Sequence, residues 1–218
     1  MGVARKELIT AGLLACRQRL EALGFTRHAA DIFTLPLTPR LFGWVGLGRA
    51  VHTGDGSMVV TPVIGLLHQD VERLVAVCAD LPYHRYYPAT VQTGIGLLTP
   101  ERTSGRVRFG PGEEVDEPTE QVCRPIQEYG LPWMRDHGSL AGIQALDHNE
   151  QYRTTLSTWR RAVIAYMLGH PDLARRHLSD ALTRIEREGS PHAAGVLAVW
   201  RRFAAALEER MARGPRQP

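Results

Sequence analysis

The sequence contains little lysine and little cysteine. Of its 26 basic residues only Lys6 is a lysine, so arginine carries almost all of the positive charge. The three cysteines, Cys16, Cys78 and Cys123, lie far apart, and none has a second thiol at the spacing of a metal-binding pair. Because an odd number of cysteines cannot be fully paired, we expect three buried thiols rather than a disulfide framework.

Long apolar segments are also missing. No run reaches the roughly 20 apolar residues that a membrane-spanning helix needs. Near the N-terminus, Leu13 and Leu14 are followed closely by the charged residues Arg17, Arg19 and Glu21, which does not match the pattern of a signal peptide. We therefore expect a cytoplasmic protein with no membrane partner.

The composition is that of a folded globular protein. Hydrophobic residues make up 44% and charged residues 22% of the 218 residues, which argues against a disordered, collagen-like or coiled-coil chain. The length fits one large domain, or one domain with a helical extension. The net charge of +3 is unevenly distributed, since residues 101–150 carry 10 acidic and 5 basic groups and residues 151–218 carry 6 and 12. This asymmetry predicts one acidic and one basic surface.

Hydrophobic periodicity predicts a helix and a sheet in the N-terminal half. The first segment is an amphipathic helix, because its apolar residues recur every three or four positions: Ile9, Leu13, Cys16, Leu20 and Leu23. Gly24 ends this helix. Alternating apolar residues then predict five strands, over residues 33–37, 42–51, 58–66, 91–97 and 106–109. A helix over 67–78 interrupts them, and Pro62 requires an edge or a bulge. Gly94 and Gly96 weaken their strand and indicate either a bulge or a close approach to the backbone.

The C-terminal half is predicted to be helical. Residues 110–120 form an acidic loop that marks a boundary, and short helices are expected over 122–129, ended by Gly130 and Pro132, and over 134–148. Three longer amphipathic helices follow, with glycine and proline at the breaks between them: Tyr152 opens the first stripe, and the breaks contain Gly169, Pro171, Gly189 and Pro191. We therefore expect an α+β fold, with an N-terminal helix and a mainly antiparallel sheet in residues 1–110 and a helical region, 111–218, packed on it.

Two resemblances to known families accompany these patterns. The residues at the offsets typical of the second helix of a tetratricopeptide repeat are Gly169, Ala174, Ala181 and Leu182. This part of the chain therefore resembles one such helical pair. An amphipathic helix ending in Leu23-Gly24-Phe25, a series of strands and the stretch Tyr129-Gly130-Leu131-Pro132-Trp133 resemble small bacterial α+β proteins of uncharacterised families. Some of those families are thought to act as immunity proteins, so the resemblance implies an immunity or regulatory role.

Five consecutive residues are the strongest candidates for a binding site: Tyr83, His84, Arg85, Tyr86 and Tyr87. They include three of the six tyrosines in the chain. Tyrosine and arginine dominate binding hot spots because they combine a large contact area with directed hydrogen bonds. One alternative is that the rings only anchor the connection between a helix and a strand on the core. Another is catalysis by His84 or by a tyrosine.

Other clusters lack the spacing of a known motif. The acidic residues between Glu113 and Glu120 lack the glycine of a calcium loop, so we expect them to face water or a basic partner. Asp136-His137 and Asp147-His148 are eleven residues apart, which on one continuous helix separates them by about 16 Å, too far for a shared metal. Gly46-Leu47-Gly48 lacks the rest of a dinucleotide or phosphate-binding motif. We expect no cofactor and no metal, and the catalytic residues, if any, stay unassigned.

These observations favour a non-enzymatic protein-binding module, with an immunity or regulatory role. The first alternative is an enzyme or small-molecule binder with a pocket between the sheet and the helices, because catalytic groups distant in sequence leave no local motif. The second alternative is a nucleic-acid binder, since arginine pairs lie on three successive helices: Arg160-Arg161, Arg175-Arg176 and Arg201-Arg202.

Overall fold

The protein was studied as a computed structural model, which describes residues 2–52, 54–147, 156–188 and 193–213. Four residues used in the sequence predictions lie outside these ranges: His148, Tyr152, Gly189 and Pro191. Within them the chain forms an N-terminal helix, an antiparallel sheet and then a succession of helices. The predicted α+β class is confirmed.

A six-stranded antiparallel sheet occupies much of the N-terminal half. Its strands are β1 (Thr26–Arg27), β2 (Ile32–Pro36), β3 (Leu41–Val51), β4 (Met58–His68), β5 (Val91–Gly94) and β6 (Val107–Phe109). They lie in the order β1-β2-β3-β4-β5, and β6 pairs with the beginning of β4 beside β5. Successive pairing makes β1 to β4 a meander, which needs only short connections between neighbouring strands.

The position of Pro62 in the long strand β4 agrees with the expectation from sequence. Pro62 lies opposite Leu47 of β3. On the other side of β4, the pairing with β6 ends at Val60 and the pairing with β5 begins at Val63. The residue that cannot donate a backbone hydrogen bond therefore lies at a local edge between two short partner strands.

Eight α-helices complete the described chain. They are α1 (Gly2–Ala22), α2 (Gln69–Ala79), α3 (Asp116–Pro125), α4 (Leu131–Asp136), α5 (Leu140–Leu146), α6 (Thr158–Met167), α7 (Pro171–Glu188) and α8 (Ala193–Ala212). The predicted stripe of α1 packs inward, with Leu13, Cys16 and Leu20 all buried. Gly24 follows this helix with a left-handed backbone, φ 91°, as its predicted role as a helix stop requires.

The two faces of the sheet have different surroundings. On β3, Leu41, Val45 and Leu47 belong to the main core, which also includes residues from the helices such as Ile143 and Phe203. Side chains on a strand alternate between its faces, so the even-numbered residues of β3 point the other way. On that outer face a smaller apolar cluster forms from Ile32, Trp44, Leu67 and Ala89. The helices therefore pack on one face of the sheet, and the smaller apolar cluster lies on the opposite, outer face.

The predicted boundaries around β4 and β5 need correction. Leu67 was assigned to a helix, but it pairs with Phe42 in the sheet and is fully buried, so α2 begins only at Gln69. The predicted strand 91–97 ends at Gly94, and residues Ile95–Leu97 form a 3₁₀ turn. At Gly96 an added Cβ would lie 2.5 Å from the backbone nitrogen of Gly105, which confirms the predicted close approach.

The predicted break at Gly130 and Pro132 is wrong. The helical segment continues through a π turn at Ile126–Gly130 directly into α4. Pro132 directly follows the π turn, where the regular α-helical hydrogen-bond pattern is already interrupted, so proline is tolerated there. The acidic segment was also predicted as loop throughout, whereas α3 begins at Asp116, where carboxylates favour the positive end of the helix dipole.

The single helix predicted over 134–148 is also wrong. It is divided by a turn after Asp136, and α5 begins after Ser139, whose Oγ accepts a 2.9 Å hydrogen bond from the backbone nitrogen of Gly142. This side-chain cap stabilises a new helix start. Asp136 and Asp147 therefore belong to the ends of different helices, and the straight-helix geometry assumed for the two Asp-His pairs does not apply.

The C-terminal helices pack through small and aromatic residues. In α7, Ala174 and Ala181 are buried and allow a close approach of α6. Trp159 of α6 stacks on Phe203 of α8 with ring centroids 4.8 Å apart. Trp200 contacts Trp159 edge-on at 5.0 Å. These rings attach α8 to the α6–α7 pair.

The three cysteines are buried free thiols, as expected from the sequence. The pKa of Cys78 is raised, chiefly because burial disfavours the thiolate. None of the helices, in the residues that the structure describes, combines the length and the apolar character needed to cross a membrane.

Candidate functional site

The main candidate site is a cleft of about 730 Å³ on the outer face of the sheet. All five candidate binding residues, Tyr83 to Tyr87, line it. The floor comes from the sheet and includes Trp44 and Gly46, and His28 lies at one side. The structure therefore brings the sequence-predicted segment together with residues that are distant in the chain. We call this site the outer cleft.

The floor of the outer cleft depends on a glycine beside a tryptophan. Trp44 is 4% exposed and its indole lies over Gly46, where an added Cβ would be 2.5 Å from Cη2 of the ring. Only a residue without a side chain leaves room for this indole position. The indole is therefore held, almost fully covered, in the apolar cluster beneath the cleft.

The segment over the floor is held by its backbone and by one ring. Trp44 Nε1 donates a 3.0 Å hydrogen bond to the carbonyl oxygen of Tyr86. The Tyr86 ring stacks on His28, with centroids 3.6 Å apart and an interplanar angle of 11°. His28 Nε2 in turn shares a 2.8 Å hydrogen bond with Thr34 Oγ1 of β2. This arrangement agrees in part with the anchoring alternative, because Tyr86 attaches the segment to the sheet.

The remaining side chains of the segment are available to a ligand. His84 and Arg85 are exposed, and Tyr87 is 56% exposed at the rim. The Arg85 guanidinium lies 5.3 Å from the centre of the Tyr86 ring, a cation–π contact that orients it near the cleft. One tyrosine thus anchors the segment, while an arginine and a second tyrosine stay accessible.

Tyr83 differs from its neighbours because its hydroxyl group is buried. The side chain is half-buried, and the Arg73 guanidinium lies 5.3 Å from its ring centre. Its hydroxyl oxygen has no hydrogen-bond partner among the residues that the structure describes. A buried polar group without a partner costs free energy.

The electrostatic environment of the outer cleft is basic. Of the lining residues within the described ranges, none is Asp or Glu, whereas Arg85 carries a permanent positive charge. The pKa of His28 is lowered, first by burial and second by the positive charge of Arg85. His28 is therefore mainly neutral at pH 7, and Arg85 supplies the permanent charge.

Two carboxylates of the predicted acidic cluster form contacts within the fold. Glu113 accepts a hydrogen bond from the backbone nitrogen of Gly110, and Glu120 forms a 2.6 Å ion pair with Arg19. Within the described part of the chain, no group of three or more His, Cys, Asp or Glu side chains is placed to hold a metal ion. His148, one member of the Asp-His pairs, lies outside that part.

At least one member of each predicted arginine pair forms an ion pair. Arg160 and Arg161 bind Glu72 and Asp147 at 2.8 and 2.6 Å. Arg175 binds Glu208 at 3.2 Å, and Arg201 binds Glu186 at 3.0 Å. The positive charge of these helices is thus partly neutralised within the fold.

Sequence reasoning missed the part of the cleft that the sheet contributes. His28, Trp44 and Gly46 come from separate elements and are brought together only by strand pairing, so no local motif contains them. One pattern in the sequence could have revealed this part of the cleft. In β3 the large apolar residues Phe42 and Trp44 alternate with core positions, which indicates that both faces of this strand are covered.

Comparisons with protein-family models, with curated proteins and with solved structures found no match for this chain. The family resemblances noted in the sequence stay predictions.

Proposed function

We propose that this chain is a binding module that recognises a protein partner through the outer cleft, in an immunity or regulatory role. The observation that carries the proposal is the position of residues 83–87 along one wall of a solvent-open cleft of 730 Å³. Tyrosine and arginine beside an apolar floor form the composition typical of a binding hot spot.

The residues of the segment have two different roles, anchoring and exposure to a partner, and this difference supports the proposal. Tyr86 and the backbone hold the segment in place, so it is ordered before a partner arrives. A preorganised surface loses less conformational entropy on binding than a loop that must first become ordered. Arg85 and Tyr87 then present a charge and an aromatic ring to the partner.

A second candidate function is the binding of a small molecule in the same cleft. Its volume lies in the range of roughly 300–1,000 Å³ that is usual for ligand sites, and the buried hydroxyl of Tyr83 lacks a partner among the described residues. The sequence placed such a pocket between the sheet and the helices, whereas the outer cleft lies on the opposite face. The nucleic-acid alternative receives less support, because carboxylates neutralise several of the arginines it would use.

The proposal can be tested by photo-crosslinking in cells that produce the protein. A benzoylphenylalanine at position 87 replaces one exposed aromatic side chain with another and places the reactive group at the rim of the cleft. The matched control carries the same group at Val196, which is 46% exposed on α8. We expect one protein to be captured at position 87 and not at position 196.

The captured protein is then purified and its affinity measured with three variants. Arg85→Ala and Tyr87→Ala should each weaken binding by more than about 1 kcal/mol without a change in thermal unfolding, as hot-spot residues do. Val196→Ala should leave the affinity unchanged. Equal capture at both positions, or unchanged affinity in folded Arg85→Ala and Tyr87→Ala variants, would contradict the proposal.

A further inference from the structure

The charge of Arg85 is not neutralised by the protein. Its side chain is exposed, and within the described part of the chain it forms no ion pair with a carboxylate. Its guanidinium contacts the face of the Tyr86 ring, which leaves its hydrogen-bond donors free for another group. An arginine held in this way favours a planar carboxylate, which it can bind through two parallel hydrogen bonds.

Two carboxylates whose neighbours contact the cleft already have partners. Asp31, next to the lining residue Ile32, pairs with Arg49 at 3.3 Å and with Arg27 at 3.8 Å. Asp70 pairs with Arg40 at 3.2 Å, and it also lies 3.7 Å from Arg73. Neither of these carboxylates lacks a partner, and the Arg85 guanidinium is available to a carboxylate from outside the chain.

A second observation points to the same kind of ligand. Within the described ranges the lining of the cleft contains no Asp or Glu, so no carboxylate of the lining would repel an acidic ligand. The lining also includes the half-buried side chain of Val63, which packs against the outer apolar cluster. An apolar side chain next to the acidic group can pack on Val63.

We propose that the outer cleft binds an acidic peptide segment of the partner protein, in which Asp or Glu pairs with Arg85 and a neighbouring aromatic or aliphatic side chain packs on the apolar floor at Val63. This inference rests on the proposed function, because it names the chemistry recognised at the same site. A peptide fits better than a small acid because the rim is open at Tyr87, so that a longer chain can continue beyond the cleft.

The test uses random linear peptides displayed on phage and selected on the full-length protein. Selected sequences should carry Asp or Glu beside an aromatic or aliphatic residue. The best of them, made as a free peptide, should bind about tenfold more weakly to Arg85→Gln, with partial recovery in Arg85→Lys.

Arg176→Gln removes an exposed arginine on α7 and is the matched control, for which we expect no change. Affinity for the wild-type protein should fall as salt rises from roughly 0.05 to 0.3 M.

The outcomes separate this inference from the proposed function. Peptides that are basic or uncharged and lose affinity in Tyr87→Ala but not in Arg85→Gln would overturn the acidic chemistry and leave the cleft as the binding site. Peptides affected by neither variant, or no selected peptide at all, would contradict both. Saturable binding of phenylacetate without any acidic peptide would instead assign the cleft to small organic acids and overturn the peptide proposal.

Discussion

At the scale of single residues, a glycine determines the shape of the outer cleft. An added Cβ at Gly46 would lie 2.5 Å from Trp44 Cη2, so alanine there must displace the indole. We expect Gly46→Ala to lower the free energy of unfolding by about 1–3 kcal/mol, as overpacking does. We also expect it to break the hydrogen bond from Trp44 Nε1 to Tyr86. Denaturant unfolding and tryptophan fluorescence measure both effects.

The matched control for this substitution is Gly94→Ala in the same sheet. An added Cβ at Gly94 meets no atom within 4 Å. Its effect should stay within about 0.5 kcal/mol, as is usual for substitutions that create no clash. Equal stability of the two variants would show that the position of Trp44 does not depend on Gly46.

Two histidines should make stability depend on pH. The pKa values of His28 and His68 are both lowered, in each case chiefly by burial. The unfolded chain therefore binds protons more readily than the folded chain, and the free energy of unfolding should decrease as the pH falls below the ordinary histidine pKa of about 6.5. Asp55, whose pKa is lowered to about 2 by hydrogen bonds from Ser57, loses its own contribution only at much lower pH.

Urea unfolding at pH 7.5 and at pH 5.5 measures this effect. The wild type should be less stable at the lower pH, and His68→Gln should show a smaller difference because glutamine does not titrate in this range. The histidine explanation fails if the wild type is equally stable at both pH values, or if His28→Gln and His68→Gln both keep the full difference.

At the scale of elements, a buried ion pair links the binding segment to the helices. Arg160 of α6 binds Glu72 of α2 through two hydrogen bonds of 2.8 Å, and the exposed fractions of these side chains are only 16% and 6%. Thr90, just beyond the binding segment, donates a 2.8 Å hydrogen bond to the same carboxylate. The end of the segment is thus fixed by α2 and α6 together.

Removal of the arginine should leave Glu72 buried without its counterion. We expect Arg160→Met to lower the free energy of unfolding by about 3–5 kcal/mol, which is typical when one partner of a buried pair is removed. Arg40→Met breaks the exposed pair with Asp70 and should cost less than about 1 kcal/mol. Chemical denaturation compares the two variants, and similar losses in both would refute the importance of the buried pair.

The helices and strands with a clear hydrophobic pattern were predicted correctly from the sequence, and those with a mixed pattern were not. The β3–β4 hairpin and the stripe of α1 were predictable because their apolar residues alternate or recur without conflict. Gly130 and Pro132 gave a misleading stop signal, because a π turn lets the helical segment pass through them. Leu67 fitted both a strand and a helix, and only its pairing with Phe42 resolves the choice.

At the scale of the whole molecule, the outer cleft combines one predictable part and one unpredictable part. Residues 83–87 are adjacent in sequence, and their composition alone distinguished them from an ordinary connection. His28 and Trp44 join them through the pairing of β2 with β3 and through the path of the segment across the sheet. Such long-range contacts leave no periodic or local signal, so the part of the candidate site that the sheet contributes required the structure.

A nuclear magnetic resonance titration of the ¹⁵N-labelled protein tests most directly whether the outer cleft is the binding site. The ligand is an acidic peptide obtained from the phage selection, and the four tryptophans give separate indole N–H signals. We predict that the signal of Trp44 and the backbone amides of residues 83–87 shift with peptide concentration, while Trp159 and Trp200 in the helical half do not. An unchanged Trp44 signal together with shifts in the helical half would contradict the account.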